Sequence, residues 1–328
     1  MASAGQGAEP KMIPDRPEPF RGIYAATVAP LTPSFAIDEA TLERHMVAVG
    51  TVDGILGLLI NGHAGENFLL SREEKRRVVE IAHRALGRRA ILVSGVNAEN
   101  SLEAATHAAD AETAGADAIL IFPPNGWWLG QDERMAIRHH QIVAEACKLP
   151  LMLYQAPVGA GRLAYTPAVQ EALLKMPRVV AVKEGSWEVA AYERTRNLAR
   201  RVAPHVAIMG SGDEHLFTSF MIGSEGSQVS LAILLPEEIV ALDRAVRRGD
   251  LAEAHRLHAI IQPLAYAIYG TAPGFYATAR LKACLKLLGR IPHDSTRPPI
   301  GPLPREEIAR LGAALTAAGL AVRTRDVA

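Results

Sequence analysis

The sequence predicts an α/β fold, a (β/α)8 TIM barrel with a C-terminal helical extension. Three observations carry this. Eight short apolar runs recur along the chain, and a helical pattern follows each of them. The runs are continuous rather than alternating, as strands buried on both faces are. An open doubly wound sheet is the alternative, but no Gly-x-Gly-x-x-Gly follows the first run.

The elements follow in order. Residues 1–18, with Pro10, Pro14 and Pro17, read as a flexible tail, and order is expected from about Phe20. Residues 24–29 form the first strand, ended by Pro30. Asp38 caps a helix whose Leu42, Met46 and Val49 share one face. Residues 54–60 are the second strand, and Ser71 with Glu74 makes a capping box for the helix after it. The third strand spans 90–96, and Ser101 is expected to cap the next helix. The fourth, 118–122, stops at Pro123-Pro124-Asn125-Gly126, and a helix over 131–146 follows. Residues 151–154 are the fifth strand, and Pro167 starts a helix. The sixth strand is Val179-Val180-Ala181-Val182, running into Lys183. Residues 206–210 and 226–231 complete the set, with an eighth helix after Pro236. Beyond residue 250 only helical patterns remain, at 251–269, 275–288 and 305–320. The barrel is thus expected over 19–250 and a helical region over 251–328.

Composition narrows the function. Hydrophobic residues make up 49% and charged residues 21%, enough for a large core. Lys+Arg and Asp+Glu are both 35, a balance that argues against nucleic acid or an anionic membrane as partner. Aromatics at 5% leave little for a base-stacking surface. Cys147 and Cys284 stand far apart without metal spacing and read as reduced, buried thiols. No apolar run approaches the roughly 18 residues that cross a bilayer, and no signal-type apolar stretch opens the chain. The expected location is the cytoplasm.

In a barrel the loops after the strands share one rim, so distant residues converge there. Collecting strand ends brings together Thr27, the turn from Asn61 to Glu66, Asn125, Tyr154, Lys183, Ser211 to Glu214 and Gln228. The informative pair is Tyr154 and Lys183, on neighbouring strands. An amine in an apolar barrel is disfavoured as the ammonium. Bringing it from about 10.4 toward 7–8 takes about 4 kcal/mol of differential solvation. The product is a nucleophile able to form a Schiff base with a ketone, and a phenol beside it can shuttle the proton. The Gly62-His63-Ala64-Gly65 turn offers consecutive backbone N–H groups that suit a carboxylate, although an ordinary strand-to-helix turn has the same spelling. His63-x-x-Glu66 is half a metal site without partners, so no metal is expected. His139-His140 reads as packing or surface. Trp127-Trp128 is either a pocket lip or a rim cover.

On these residues the chain resembles the 4-hydroxy-tetrahydrodipicolinate synthase / N-acetylneuraminate lyase family, Schiff-base-forming pyruvate aldolases and dehydratases. The resemblance runs from about Phe20 to Leu320. Its marks are Gly62-His63-Ala64-Gly65-Glu66 for Gly-Thr-Thr-Gly-Glu, Leu153-Tyr154-Gln155-Ala156-Pro157 for Leu-Tyr-Asn-x-Pro, and Val182-Lys183-Glu184 for Ile-Lys-Glu. Gly210-Ser211-Gly212-Asp213 and Arg297-Pro298-Pro299 also match. The resemblance implies that Lys183 forms the imine, that Tyr154 relays protons, and that the His63-Ala64 backbone holds the keto-acid carboxylate. It implies no cofactor beyond that covalent imine, a 2-keto acid such as pyruvate as the small-molecule partner, and a homotetramer built as two tight dimers.

Departures bear on the substrate. Two threonines of the family pattern are His63 and Ala64, and Pro124-Asn125 stands where a second tyrosine would reach a partner subunit. Gly159 takes the place of the arginine that grips an amino-acid semialdehyde. His63, with an ordinary pKa of about 6.5, is a candidate for acid–base work or for hydrogen bonding to the bound acid. Asn125, Gln155, Gln228, Trp127 and Trp128 are expected to shape the far end of the pocket. Four readings remain: an aldolase of pyruvate type, a dehydratase of a 3-deoxy-2-keto sugar acid, a 4-hydroxy-tetrahydrodipicolinate synthase, and a non-catalytic keto-acid-binding barrel.

Overall fold

Eight parallel strands close on themselves in sequence order, β8 returning to β1. They are β1 Gly22–Ala26, β2 Ile55–Ile60, β3 Ile91–Val96, β4 Ala118–Ile121, β5 Leu151–Gln155, β6 Val179–Glu184, β7 Ala207–Gly210 and β8 Gly226–Val229. The computed structural model describes residues 18–323, so the expected tail, save Glu18, lies outside the described residues. Around the barrel run α1 Glu39–Gly50, α2 Arg72–Leu86, α3 Ser101–Ala114, α4 Glu133–Glu145, α5 Pro167–Leu174, α6 Val189–Val202, α7 Leu216–Met221 and α8 Pro236–Arg247. The extension is α9 Leu251–Tyr269, α10 Ala277–Leu287 and α11 Arg305–Ala317. No helix among the described residues is long and apolar enough to cross a membrane.

Alternation along each strand builds two apolar layers. Tyr24, Leu59, Val93, Leu120, Met152, Ala181 and Met209 fill the barrel interior. Leu58, Leu92, Ile121, Leu153, Val182 and Ile208 face the surrounding helices. That is why the strands read as unbroken apolar runs. Both cysteines are free and buried.

The helix starts follow side-chain chemistry. Asp38 accepts the Thr41 N–H at 3.0 Å, and Ser71 and Glu74 cap one another. The third cap is a correction: Asn100, not Ser101, accepts the Glu103 N–H, at 2.8 Å. Glu103 stands three residues after Asn100, the capping-box spacing, whereas Ser101 has Ala104 there. The Ser101 hydroxyl meets His139 Nδ1 at 3.0 Å instead.

Two buried or half-buried cations, Lys282 and Arg297, tie the extension to the barrel rim, and a third, Arg280, braces the extension itself. Arg280 on α10 donates to Glu307 on α11 and to the Ile268 and Thr271 carbonyls at the end of α9. Lys282 pairs with Glu66, at the end of the turn after β2. Arg297 reaches the carbonyls of Leu69 and Phe35 and the Glu74 carboxylate. The Arg297-Pro298-Pro299 segment is therefore a tie between the chain's end and the second barrel loop.

Candidate active site

β6 delivers the reactive amine. Val182 and Glu184 turn outward, so Lys183 points into the barrel above Ala181. Tyr154 is its ladder partner on β5, and Lys183 Nζ lies 5.9 Å from the centre of the tyrosine ring. Both side chains are buried and border a cavity of about 410 Å³ at the C-terminal mouth of the strands. His63, Ala64, Asn125, Asp213 and Ser211 border it too.

Burial dominates the electrostatics. It pushes the Lys183 ammonium down to about 8, against the opposing pull of the Asp213 carboxylate. Asp213 is itself pushed up to about 7 by burial, which the Leu231 N–H and the Lys183 charge oppose. The Leu231 N–H donates to its Oδ1 at 2.6 Å. Tyr154 is raised well above the ordinary phenol range by burial and by the nearby Glu184 charge. The site thus holds an amine that sheds its proton easily beside a phenol that keeps its own.

The turn after β2 is held in an unusual backbone shape. Asn61 and Glu66 both adopt left-handed conformations, with φ of 51° and 57°. Gly95 is required beneath it, because a Cβ there would stand 2.1 Å from the Asn61 carbonyl oxygen. The N–H groups of Gly65 and Glu66 close the turn on the Gly62 and His63 carbonyls. No backbone carbonyl among the described residues takes the N–H groups of His63 and Ala64. Those two N–H groups suit an anion at the cavity wall.

Of the two roles expected for His63, its surroundings weigh against acid–base work. Its ring stacks on Phe122 at 4.3 Å and Phe68 at 4.7 Å, edge-on to Tyr154. Burial, aided by the Lys183 charge, takes it down to about 3, so it is a neutral member of an aromatic stack. Three expected pocket residues stand elsewhere. Gln155 has the opposite strand parity to Tyr154 and donates to the Tyr165 carbonyl at 3.4 Å, off the cavity. Gln228 is buried in the barrel below the cavity floor, 2.9 Å from Met152 Sδ. Gly159 lies in a short helical stretch, Val158–Leu163, and does not border the cavity. Trp127 is buried, edge-on to His139, while Trp128 is exposed. Neither touches the cavity wall. His139 and His140 are packing residues, the latter 3.3 Å from the Tyr165 hydroxyl.

The sequence reading passed over part of the wall. Trp187, Ser230, Tyr269, Phe275 and Thr278 all border the cavity. Trp187 follows the β6 end in a left-handed conformation, and the last three belong to the extension. Among the described residues no group of three His, Cys, Asp or Glu is placed to hold a metal ion.

A model of the dihydrodipicolinate synthetase family matches residues 19–318. The chain belongs to that family. It is a lyase, as the family's curated members are. A 4-hydroxy-tetrahydrodipicolinate synthase of Kineococcus radiotolerans is 31% identical over 316 residues, covering 94% of this chain and 96% of that one. One from Neisseria meningitidis is 31% identical, covering 92% and 99%. Among solved structures, a prophage protein of the dihydrodipicolinic acid synthase family from E. coli K12, in complex with pyruvate, superposes with a TM-score of 0.83. It is 26% identical, with 92% of this chain and 99% of that one covered. A monomeric dihydrodipicolinate synthase variant has a TM-score of 0.84 at 22% identity, covering 93% and 98%, and shares the fold. The family match takes in the extension as well as the barrel, so both parts of the cavity wall lie within it.

Proposed function

We propose that the protein is a Schiff-base lyase acting on a 2-keto acid of the pyruvate type, by aldol cleavage or its reverse. The observation that carries this reading is the in-register pair of Lys183, lowered to about 8, and Tyr154 in one buried cavity. The neutral Lys183 amine attacks the keto carbon, and loss of water leaves an imine. The protonated imine is an electron sink, so the adjacent carbon gives up a proton or a carbon–carbon bond to form an enamine. Tyr154, a phenol at rest, protonates the departing oxygen and, as the phenolate this leaves, takes the proton from that carbon. The N–H groups of His63 and Ala64 hold the carboxylate. No cofactor enters this chemistry beyond the covalent imine at Lys183.

The test is incubation with pyruvate, reduction with borohydride, and mapping of the adduct by mass spectrometry. A pyruvate-derived mass on Lys183 is expected, and an unmodified Lys183 would overturn the reading. The names of the curated relatives favour a second one, a 4-hydroxy-tetrahydrodipicolinate synthase using an amino-acid semialdehyde. Gly159 in place of a gripping arginine, off the cavity, weighs against it. Assays of 2-keto acids for released pyruvate and for released water separate aldolase from sugar-acid dehydratase, and a binder gives neither. The tetramer is part of this proposal and is tested by light scattering.

A further inference from the structure

We infer that the half-substrate meeting the keto acid at Lys183 is a neutral aryl aldehyde, an inference that rests on the Schiff-base reading above. Charge comes first. Among the described residues that border the cavity, Lys183 is the sole lysine or arginine, and imine formation occupies it. Arg162 turns away, toward the Leu129 carbonyl at 3.5 Å on the exposed surface. Two carboxylates border the space: Glu66 is neutralised by Lys282, whereas Asp213 faces the lysine. The keto acid's own carboxylate has the His63-Ala64 turn. A second carboxylate would meet no cation and would stand near Asp213, an arrangement that disfavours it.

The wall chemistry then says what fits. Phe68, Phe275 and Trp187 border the cavity yet are 36%, 46% and 47% exposed. Half-exposed rings gathered at a cavity mouth mark a surface that an apolar ligand covers. Phe68 links the outer ring Phe275, 6.2 Å away, to the inner His63 stack. That stack is uncharged, because burial holds His63 at about 3. A continuous aromatic path therefore runs from the mouth toward the Lys183–Tyr154 pair. A flat ring lying along it is matched in polarity, whereas the hydroxyls of a polyhydroxylated chain would have to turn away from that path to reach Asn125, Ser211, Ser230 or Thr278.

The step balances. The enamine carbon, the former methyl of pyruvate, attacks the aldehyde carbon and forms the carbon–carbon bond. Tyr154, left as the phenolate after protonating the hydroxyl that departs in imine formation, has already taken the methyl proton; the carbonyl π pair then moves to oxygen, which takes that proton from the Tyr154 hydroxyl, and the water that hydrolyses the imine returns a proton to the phenolate. Water hydrolyses the imine, which returns the Lys183 amine and releases a 4-aryl-4-hydroxy-2-keto acid.

The experiment incubates the full chain with pyruvate and, in parallel, benzaldehyde, glyceraldehyde or succinate semialdehyde, with products quantified by mass spectrometry. Expected is a kcat/KM for benzaldehyde about ten-fold or more above either of the others. Phe275→Ala is expected to lower the benzaldehyde-to-glyceraldehyde ratio by about ten-fold; equal loss with both aldehydes would mean that the ring is only structural and would count against the inference. Preference for the anionic or polyhydroxylated aldehyde overturns it, as does a Lys183 adduct with no turnover of any aldehyde. In both cases the Schiff-base reading survives. Absence of the borohydride adduct instead removes that reading, and this inference with it.

Discussion

Lys183 and Tyr154 are direct ladder partners on β6 and β5, with the ammonium nitrogen 5.9 Å from the ring centre. Register alone aims both side chains into the same cavity, so neither depends on a mobile loop for its position. Lys183→Met is expected to abolish the borohydride adduct while leaving the thermal midpoint unchanged or raised, because a desolvated amine gives way to apolar volume. Tyr154→Phe keeps the ring packed against His63 and Phe122. It is expected to lower turnover by about 100- to 10,000-fold, the range for a lost proton relay. Circular dichroism with steady-state kinetics checks both. A Lys183→Met protein that unfolds would assign the lysine to structure instead.

The pH dependence follows from the same pair. Attack needs the neutral amine, and burial has brought Lys183 down to about 8 while Asp213 opposes that fall. The rate of adduct formation is therefore expected to rise with pH and level off above about 8. Asp213→Asn removes the anion that favours the ammonium, so the rising limb should move to lower pH. Trapping rates measured from pH 6 to 10 decide it; a limb that does not move would show that Asp213 does not act on the lysine.

A second relationship fixes the turn after β2, proposed above to hold the carboxylate. Glu66 and Lys282 form a fully buried ion pair, and Lys282 also donates to the Ser295 carbonyl at 2.8 Å. Breaking such a pair on one side leaves an uncompensated charge, at a cost of about 3–5 kcal/mol. Lys282→Met is expected to show that loss in urea denaturation, together with a raised KM for the keto acid as the turn loosens. The double variant Glu66→Gln/Lys282→Met should recover much of the stability. If its loss equals the sum of the two single losses, the pair is not coupled.

The local parts of this architecture were legible in the chain. Unbroken apolar runs such as 179–182 reflect two-sided burial, and Asp38 and the Ser71–Glu74 box carry their own start signals. Lys183 and Tyr154 were legible because each ends such a run. Gln155 shows the limit: one residue past Tyr154, it faces the helices, and parity is not visible without register, which shifts between Leu151 and Met152. His63 was legible as a turn residue but not as a neutral ring, because its neighbours Phe68 and Phe122 come from separate segments. Tyr269, Phe275 and Thr278 were invisible as wall. Their place depends on Arg280–Glu307, Lys282–Glu66 and Arg297–Glu74, ties that in two cases cross more than 200 residues.

Acid stability gives the last prediction. His45, His139 and His140 are buried, and burial takes them down to about 4, 4 and 3 from an ordinary value of 6.5. Each is neutral in the fold and charges readily in the unfolded chain. Between about pH 6.5 and the folded values the unfolded state binds more protons, so stability rises with pH there and is lost as pH falls. At pH 5 the loss is on the order of 2 kcal/mol for each group. His45 isolates the effect, because its Nε2 is buried without a partner among the described residues. His45→Leu is expected to narrow the gap in unfolding free energy between pH 7 and pH 5, measured by urea denaturation, by about 2 kcal/mol, the share of this one group. If the gap is unchanged, the His45 ring does not resist protonation in the fold, and the acid sensitivity lies with other groups.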